Sequence, residues 1–344
     1  MKSMAIFIGL AAGLLFGIAT PLSKVMLAQF NSFQLAGLLY LGAALAFLPF
    51  VIRKWRPELT ALRRTGKKRY IVGTIIFGGI LGPLLLMIGL KMANVMSVSI
   101  WLNLELVATA ILGILFFKDH LDRFAAIGVI LTLAAGIVIS IHETSSGMLS
   151  GLFILLACIA WGLDNHFTAI IDGISPQSIT FIKGVLGGLT NLTIGLIISH
   201  GALESSYIHW ALLIGIFSYG ISIVFYVTAA QNLGATRSQI LFSTAPFWGI
   251  IVAWLFLGEP LSTTIIIAFI LLLLGVVFTN LLAHQHQHHH SAMEHIHFHT
   301  HDEHHEHSHE TATNSKVKHS HIHEHTEQHH THDHYSDIHH RHKH

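Results

Sequence analysis

Charged residues are scarce in this sequence: Asp, Glu, Lys and Arg make up only 11% of its 344 residues, whereas 52% are hydrophobic. Soluble domains carry about 25% charged residues, so the composition excludes an ordinary water-soluble protein and indicates that most of the chain lies in an apolar solvent. Cysteine is nearly absent as well. Cys158 is the single one, which excludes a disulfide framework.

The histidines divide the chain into two segments of unrelated chemistry. Of the 30 histidines, 25 lie between His284 and His344, and almost every long apolar run lies before them. The first 283 residues carry 15 Lys/Arg against 9 Asp/Glu, and the tail carries 4 against 9. The formal net charge of +1 is therefore an average over two different segments.

The apolar runs predict ten membrane-spanning helices, because crossing about 30 Å of hydrocarbon takes roughly 20 apolar residues. The predicted spans are 4–23, 32–52, 70–90, 95–117, 122–141, 148–171, 176–199, 207–230, 236–257 and 261–283. The first run begins like a signal peptide. It is longer than the usual apolar region of such a peptide and further spans follow it, so we interpret it as a retained helix.

One internal loop, residues 53–69, is long and basic, with eight Lys/Arg. The positive-inside rule places this loop in the cytoplasm. The N-terminus then lies there too, and ten spans return the C-terminal tail to the same side. We therefore predict a multi-pass protein of the cell membrane with cytoplasmic termini. The lipid bilayer and a small-molecule or metal-ion substrate are the expected partners, nucleic acid is not, and a homodimer stays open.

Internal similarity indicates two repeats. The segment "LLFGIATPL" (14–22) aligns with "IAWGLDNHF" (159–167), and "ILFFKDHL" aligns with "WLFLGEPL" further along each half. Five spans per half force the second half to run upside down relative to the first. Such inverted repeats commonly hold a substrate site near the membrane midplane.

An aromatic-Gly pair in the first helix of each half (Phe16-Gly17 and Trp161-Gly162) and the "LGEPL" turn before the last helix carry a resemblance to a known family. With five-plus-five spans, the chain resembles the EamA-type permeases of the drug/metabolite transporter superfamily. The resemblance covers residues 1–283. It implies a secondary transporter of small organic molecules, often an exporter, and we expect neither enzymatic activity nor a required cofactor.

The expected fold class is an all-α polytopic membrane protein: ten transmembrane helices in two inverted five-helix repeats, followed by a disordered His-rich cytoplasmic tail. The expected domains are residues 1–142, 147–283 and 284–344. One departure from the family pattern lies in the fourth helix, where a Glu-Pro pair is usual. This chain has Glu105-Leu106 there, and the proline appears only in the second half, as Ala245-Pro246.

Ionisable residues inside spans are costly and usually face the bundle interior or a water-filled path. Glu105 of span four lies about 18 Å from the cytoplasmic end of its helix, near the midplane. Asp164 of span six and Lys183 of span seven lie about 10 Å deep in adjacent antiparallel helices, at matching heights. His166 of span six is more typical of an interior histidine than of a metal ligand, because no second His or Cys lies near it at ligand spacing.

These residues allow two interpretations. In the functional one, Glu105 carries a coupling proton, and Asp164, Asn165 and Lys183 line the path or bind a polar substrate. In the structural one, Asp164 and Lys183 neutralise each other, while Glu105 stays protonated and hydrogen-bonded to Asn103 or Trp101. The predicted path residues are Glu105, Asp164, Asn165, Lys183, His166 and Asn103.

The tail predicts metal binding, because neutral imidazole is a good ligand for Zn²⁺, Ni²⁺ and Co²⁺. Its histidines recur as H-x-H, which places alternate side chains on one side of an extended chain. The candidate ligands are His295, His297, His299, His301, His304, His305, His307, His309, His319, His321, His323 and His325. The alternatives are a solvated extension or a pH sensor. The match of residues 305–309 to H-E-x-x-H is expected by chance in so His-rich a segment.

Three functions follow from these features. The first is an EamA-type exporter with a divalent-metal-binding tail that links it to Zn, Ni or Co handling. The second is a transporter of a small organic solute whose tail only regulates it or buffers metal. The third is a membrane-anchored metal store that transports nothing. Passage of metal through the bundle needs ligands such as Glu105, Asp164, Asn165 and His166 to converge where spans four and six touch, and Lys183 would repel a cation there.

Overall fold

The computed structural model describes residues 2–117, 123–171, 174–233 and 241–280 of the apolar part, and four segments of the tail. The α-helices are α1 Lys2–Gly17, α2 Ala19–Met26, α3 Ser32–Arg64, α4 Lys68–Gly73, α5 Gly82–Met92, α6 Val95–Trp101, α7 Leu104–Leu112, α8 Arg123–His142, α9 Ser145–Ile170, α10 Pro176–Ile198, α11 Ile208–Ile214, α12 Ser222–Leu233, α13 Ala245–Leu257 and α14 Thr263–Asn280.

Three π-helical segments continue some of these helices: Thr74–Leu81 between α4 and α5, Gly113–Phe117 after α7, and Gly215–Ile221 between α11 and α12. Tyr207 ends a short 3₁₀ turn that begins at Ser205. Span one is thus α1 with α2, span three is α4 to α5, span four is α6 with α7, and span eight is α11 to α12. Spans two, five, six, seven, nine and ten correspond to α3, α8, α9, α10, α13 and α14.

The all-α membrane part is confirmed. Among the described residues, seven helical segments are long and apolar enough to cross a membrane, and they coincide with spans one to four and six to eight. Three shorter apolar helices, Ala126–Ile141, Ala245–Leu257 and Thr263–Phe278, fall on spans five, nine and ten. Residues 234–240, where span nine is expected to begin, lie outside the described part of the chain.

The helices pack in the pattern of a two-fold repeat. Equivalent helices of the two halves contact each other: α3 packs on α10, α8 on α14, and α6 on α13. Span one packs on span eight through α1 and α12, and span six packs on span three through α9 and α5. Each first helix thus lies against the third helix of the other half, as an inverted repeat requires.

Small residues allow these close contacts. A Cβ atom on Gly215 of span eight would collide with the carbonyl oxygen of Leu39 and come within 2.9 Å of the Cα of Gly42, both in α3. A Cβ on Gly187 of α10 would likewise collide with the backbone of Gly79 in span three. Membrane helices gain most of their association energy from such van der Waals packing, since lipid is as apolar as the helix surface.

The basic segment is more helical than expected. Residues 53–69 were predicted as a loop, but α3 continues through the first part of this segment to Arg64. The backbone leaves helical geometry only at Lys54, with φ −110° and ψ 18°. Pro57 explains this kink, because proline lacks an N–H and its ring crowds the carbonyl four residues earlier, that of Arg53.

The tail forms a separate unit, and four of its segments have extended backbone. Strand β1 His284–His290 pairs with β4 Gln328–His334, and β2 Met293–His299 pairs with β3 His319–His325, both antiparallel. The H-x-H pattern of β2 and β3 has the period of two residues that an extended strand has. Residues 300–318, with five of the candidate metal ligands, lie outside the described residues.

Candidate functional site

Span four is interrupted beside its carboxylate. Helix α6 ends at Trp101 and α7 begins at Leu104, and between them the backbone N–H of Asn103 bonds to the carbonyl of Ile100, three residues earlier, where a regular α-helix would use the fourth. The buried Cys158 of α9 lies against the break: its Sγ is 3.6 Å from the carbonyl oxygens of both Trp101 and Leu102, and the Leu102 carbonyl also accepts from the backbone N–H of Glu105 at 3.2 Å. The thiol therefore supports the break and positions the start of α7, where Glu105 lies.

Glu105 is held by span six. Its Oε1 accepts a hydrogen bond of 2.9 Å from Nδ2 of Asn165. Glu105 is half-buried and Asn165 is exposed, so this hydrogen bond borders open space. Among the described residues no salt bridge includes Glu105. The Glu105 carboxylate thus has a neutral hydrogen-bond partner and, in the described part of the chain, no salt-bridge partner.

One turn further along, the same two spans meet again. Nε2 of His166 lies 3.0 Å from the carbonyl oxygen of Thr109, and the imidazole is buried, with 6% exposure. His166 is therefore the interior histidine that the sequence favours. The convergence of spans four and six that a metal path would require is present, but the imidazole contacts a backbone carbonyl there.

Asp164 and Lys183 form an ion pair. Nζ of Lys183 lies 2.7 Å from Oδ2 of Asp164, and the two side chains are only 13% and 9% exposed. The other carboxylate oxygen accepts a 3.2 Å hydrogen bond from the hydroxyl of Thr168. The matching depths predicted from the sequence thus correspond to a direct contact between spans six and seven.

The ion pair lies against the π-helical segment of span three. A Cβ atom on Gly78 would collide with the carboxylate of Asp164, so the absence of a side chain there makes room for the acid. The carbonyl of Gly78 accepts a 2.6 Å hydrogen bond from the hydroxyl of Tyr40 in span two. Short π-helical insertions are frequent at functional sites, and this one joins spans two, three and six around the pair.

The predicted alternative partners of Glu105 are wrong. Nε1 of Trp101 donates instead to the carbonyl of Gly136 at 3.1 Å and lies 3.2 Å from the hydroxyl of Ser140. Asn103 is buried, and its Nδ2 has no hydrogen-bond partner. Both residues lie beside the break in span four, whose geometry turns them away from the carboxylate.

The described part of the bundle brings no metal centre together. Within the described residues, no three His, Cys, Asp or Glu side chains are placed to share a metal ion. Lys183 already neutralises Asp164, and Glu105 is bound to an amide. The convergence of Glu105, Asp164, Asn165 and His166 that metal passage would need is therefore not seen, because each of these side chains has a partner of another kind.

In the tail, the register opposes histidine with histidine. On the first ladder His284, His286, His288 and His289 pair with His334, His332, His330 and His329. On the second ladder the pairs are His295–His323, His297–His321 and His299–His319, and His325 lies opposite Met293. His301, His304, His305, His307 and His309 lie outside the described residues.

Three participants were missed by the sequence analysis: Tyr40, Gly78 and Thr168. A tyrosine or a threonine in an apolar helix is usually a packing residue, and nothing in its local pattern marks it. Gly78 had a signal in the Gly-Gly pair of span three, which indicates close helix approach. That the approaching group is the carboxylate of Asp164 is seen only in the packed helices.

A family comparison agrees with this architecture. The model of the EamA-like transporter family matches the chain twice, over residues 3–141 and 148–281. The chain therefore belongs to the EamA-like transporter family and is a multi-pass membrane protein of the transporter class. The interpretation as a membrane-anchored store that transports nothing is set aside.

Individual relatives are also named as transporters. An uncharacterized transporter of Methanothermobacter thermautotrophicus is 27% identical over 288 residues, which cover 78% of this chain and 83% of that protein. The uncharacterized transporter YyaM of Bacillus subtilis is 25% identical over 293 residues, or 80% of this chain and 93% of its own length. A solved crystal structure shares the fold with a TM-score of 0.61 and 14% identity, covering 82% of this chain and 98% of that one.

Proposed function

We propose that the protein is a proton-coupled exporter of a small organic solute, with Glu105 as the carrier of the coupling proton. One observation supports this most: a carboxylate at the contact of spans four and six is bound by a neutral amide, 2.9 Å away, and borders open space. A charge at this depth is costly when no cation balances it, so taking up a proton makes the site electrically neutral. Releasing that proton on the other side of the membrane completes a coupling cycle.

An organic solute fits the other polar groups better than a metal ion. The cation that lies beside the candidate path is Lys183, and its contact with Asp164 gives the pair no net charge. A polar solute can hydrogen-bond to Asn165 and to the pair without breaking it. A divalent cation would need Asp164 to leave Lys183 and the ammonium group to withdraw from the path.

The orientation belongs to the same proposal. The basic segment 53–69 carries eight Lys/Arg, whereas Lys24 and Lys91 are the basic residues on the other side in the ten-span topology. This asymmetry favours cytoplasmic termini. The tail then lies on the side from which an exporter takes its substrate.

We propose further that the tail binds Zn²⁺, Ni²⁺ or Co²⁺ and acts as a metal-binding regulator or buffer. The supporting observation is the register of β2 and β3, which opposes three pairs of histidines at alternate positions. Several imidazoles at such spacing suit exchangeable binding of first-row metals. Metal is the signal in this proposal, and the organic solute is the cargo.

The transport proposal is tested in cells that express the full chain, the Glu105→Gln variant or no transporter. Cells are challenged with a panel of toxic or labelled organic solutes, and in parallel with Zn²⁺, Ni²⁺ and Co²⁺. We expect the full chain to lower the cellular content of one organic solute, and the variant, although present in the membrane, to leave it unchanged. A change in the content of a metal that Glu105→Gln abolishes would make metal the cargo and refute the organic-solute proposal.

The tail proposal is tested by calorimetric titration of the purified protein with Zn²⁺, Ni²⁺ and Co²⁺. The full chain is compared with a chain that ends at Ala283 and with a full-length variant in which His295, His297, His299, His319, His321 and His323 are replaced by Gln. We expect several sites in the full chain, fewer in the Gln variant and none in the truncated chain. Equal binding by the full and truncated chains would refute a metal-binding tail.

A further inference from the structure

An apolar groove runs along the outside of the bundle between spans two and seven. One wall consists of Leu38, Leu41, Leu45 and Leu48 of α3, and the other includes Phe181 and Val185 of α10. The groove encloses about 360 Å³ and is open to the surroundings. Because both helices cross the membrane, this opening faces the hydrocarbon of the bilayer.

The leucines form a single stripe that continues beyond the groove. Their spacing of three and four residues keeps them on one face of a helix, and the next position on that face is Ile52, which is 67% exposed. Trp55 follows after the kink and is 57% exposed. Tryptophan is enriched where a membrane helix passes through the interface between hydrocarbon and water.

Three basic residues surround this end of the stripe: Arg53, Lys54 and Arg56, all exposed. In the part of the chain that the structure describes, none of them forms a salt bridge. The nearest acidic residue along the helix, Glu58, accepts a 3.2 Å hydrogen bond from the backbone N–H of Ser175, so its carboxylate is directed to the connection between spans six and seven. The end of the groove therefore carries uncompensated positive charge.

The dimensions fit one leaflet of a bilayer. From Leu38 to Leu48 the helix rises about 15 Å at 1.5 Å per residue, which is half of the roughly 30 Å hydrocarbon thickness. An apolar channel of this length that ends at a cluster of cations matches an acyl chain joined to an anionic headgroup.

We propose that this groove is a binding site for an anionic phospholipid, with one acyl chain between α3 and α10 and the headgroup phosphate on Arg53, Lys54 and Arg56. Phe181 and Val185, which line the chain position, lie two residues before and two residues after Lys183 on α10. The bound lipid therefore packs against the helix that presents the ammonium group to Asp164. Lipid occupancy stabilises the position of α10 and with it the ion pair.

The test is native mass spectrometry of the detergent-purified full chain, titrated separately with phosphatidylglycerol, phosphatidylcholine and inorganic phosphate. The headgroup variant is R53Q/K54Q/R56Q, and the matched control is R63Q/K68Q/R69Q, which removes the same charge from exposed positions of the same basic segment. Leu45→Trp, and independently Leu41→Trp, fill the groove. Size-exclusion chromatography selects the variants that remain monodisperse.

We expect tight binding of one phosphatidylglycerol and weaker binding of phosphatidylcholine. The headgroup variant should weaken phosphatidylglycerol binding by at least about tenfold, since each basic residue near an anionic lipid contributes on the order of a fivefold factor. The control triple variant should leave this site within about twofold of the full chain, and both Trp variants should displace the lipid.

Several results would overturn the proposal. Equal weakening by the two triple variants would mean diffuse electrostatic attraction without a site. Undiminished binding in both Trp variants would show that the acyl chain does not occupy the groove. Displacement of the lipid by inorganic phosphate would identify a site for free anions. Equal affinity for phosphatidylcholine would show that the three basic residues do not recognise an anionic headgroup.

Discussion

The two five-helix halves of the molecule use the same backbone features, yet they differ in chemistry. Span three and span eight both contain a π-helical segment, Thr74–Leu81 and Gly215–Ile221. In the first half this segment lies against the ion pair of Asp164 and Lys183, whereas in the second half it lies against the backbone of α3. The repeat therefore places the same helix geometry in both halves. In the first half this geometry accommodates the Asp164–Lys183 ion pair, and in the second half it accommodates helix backbone.

The fourth helices show the same difference. Span four carries Glu105 after its break, and the corresponding part of span nine carries Ala245 and Pro246. The carboxylate that the second half contributes near span four is Glu259, which accepts hydrogen bonds from the backbone N–H groups of Val95 at 2.7 Å and Met96 at 2.9 Å. One acid thus borders open space, and the other stabilises a helix end.

The largest effect is expected from neutralising these two carboxylates separately. Glu105→Gln keeps a hydrogen-bond acceptor for Asn165 but cannot carry a proton, so we expect coupled export of the solute to fall to background. Glu259→Gln keeps an acceptor for the amides of span four and should leave export within about twofold. Export by purified protein in proteoliposomes measures both. Equal losses in the two variants would mean that Glu105 has no special role.

The next largest effect is expected from replacing Asp164 and Lys183, which tests whether the ion pair serves stability, transport or both. Removing one member of a buried pair costs about 3–5 kcal/mol, so Asp164→Asn and Lys183→Met should each lower the thermal unfolding temperature strongly. The double variant leaves no unpaired charge and should recover most of the stability. If the pair also binds solute, export stays low in the double variant. Full recovery of export together with stability would make the pair purely structural.

A smaller effect distinguishes the two π-helical segments. Gly78→Ala and Gly215→Ala each add a methyl group where none fits, which costs about 1–3 kcal/mol of unfolding free energy. We expect both variants to lose stability in thermal unfolding, and Gly78→Ala to lose export beyond this, because its methyl group displaces the Asp164 carboxylate. Gly66→Ala, whose Cβ has no neighbour within 4 Å, is the control. Similar export in Gly78→Ala and Gly215→Ala would show that the two π-helical segments do not differ in function.

The smallest effect concerns the turn that presents Glu259. Gly258 has φ +68°, a left-handed conformation that costs a residue with a Cβ about 1 kcal/mol. Gly258→Ala should therefore lower the unfolding temperature slightly and leave export unchanged. Chemical or thermal unfolding of the purified protein measures the difference. A large loss of export would show that this turn does more than hold the start of span four.

Parts of the candidate site were predictable because they depend on distance along the chain. Asp164 and Lys183 lie equally far from a short connection between antiparallel helices, so their matching depths follow from helix rise alone. The contact of Glu105 with Asn165 does not follow in this way. It depends on the rotation of α7 and α9 about their axes, which is set by the break in span four and by Cys158 against its carbonyls.

The sequence by itself determined the approximate positions of the spans, the inverted repeat and the separation of a His-rich tail, because hydropathy and periodicity are local properties of the chain. The tertiary structure decided which polar groups are partners: Asn165 for Glu105, Gly78 as the space for Asp164, and the backbone of span four for Glu259. The physical reason is that a hydrogen bond or an ion pair requires atoms within about 3 Å. Helix rotation and close packing between distant segments set distances of that size, and local composition does not.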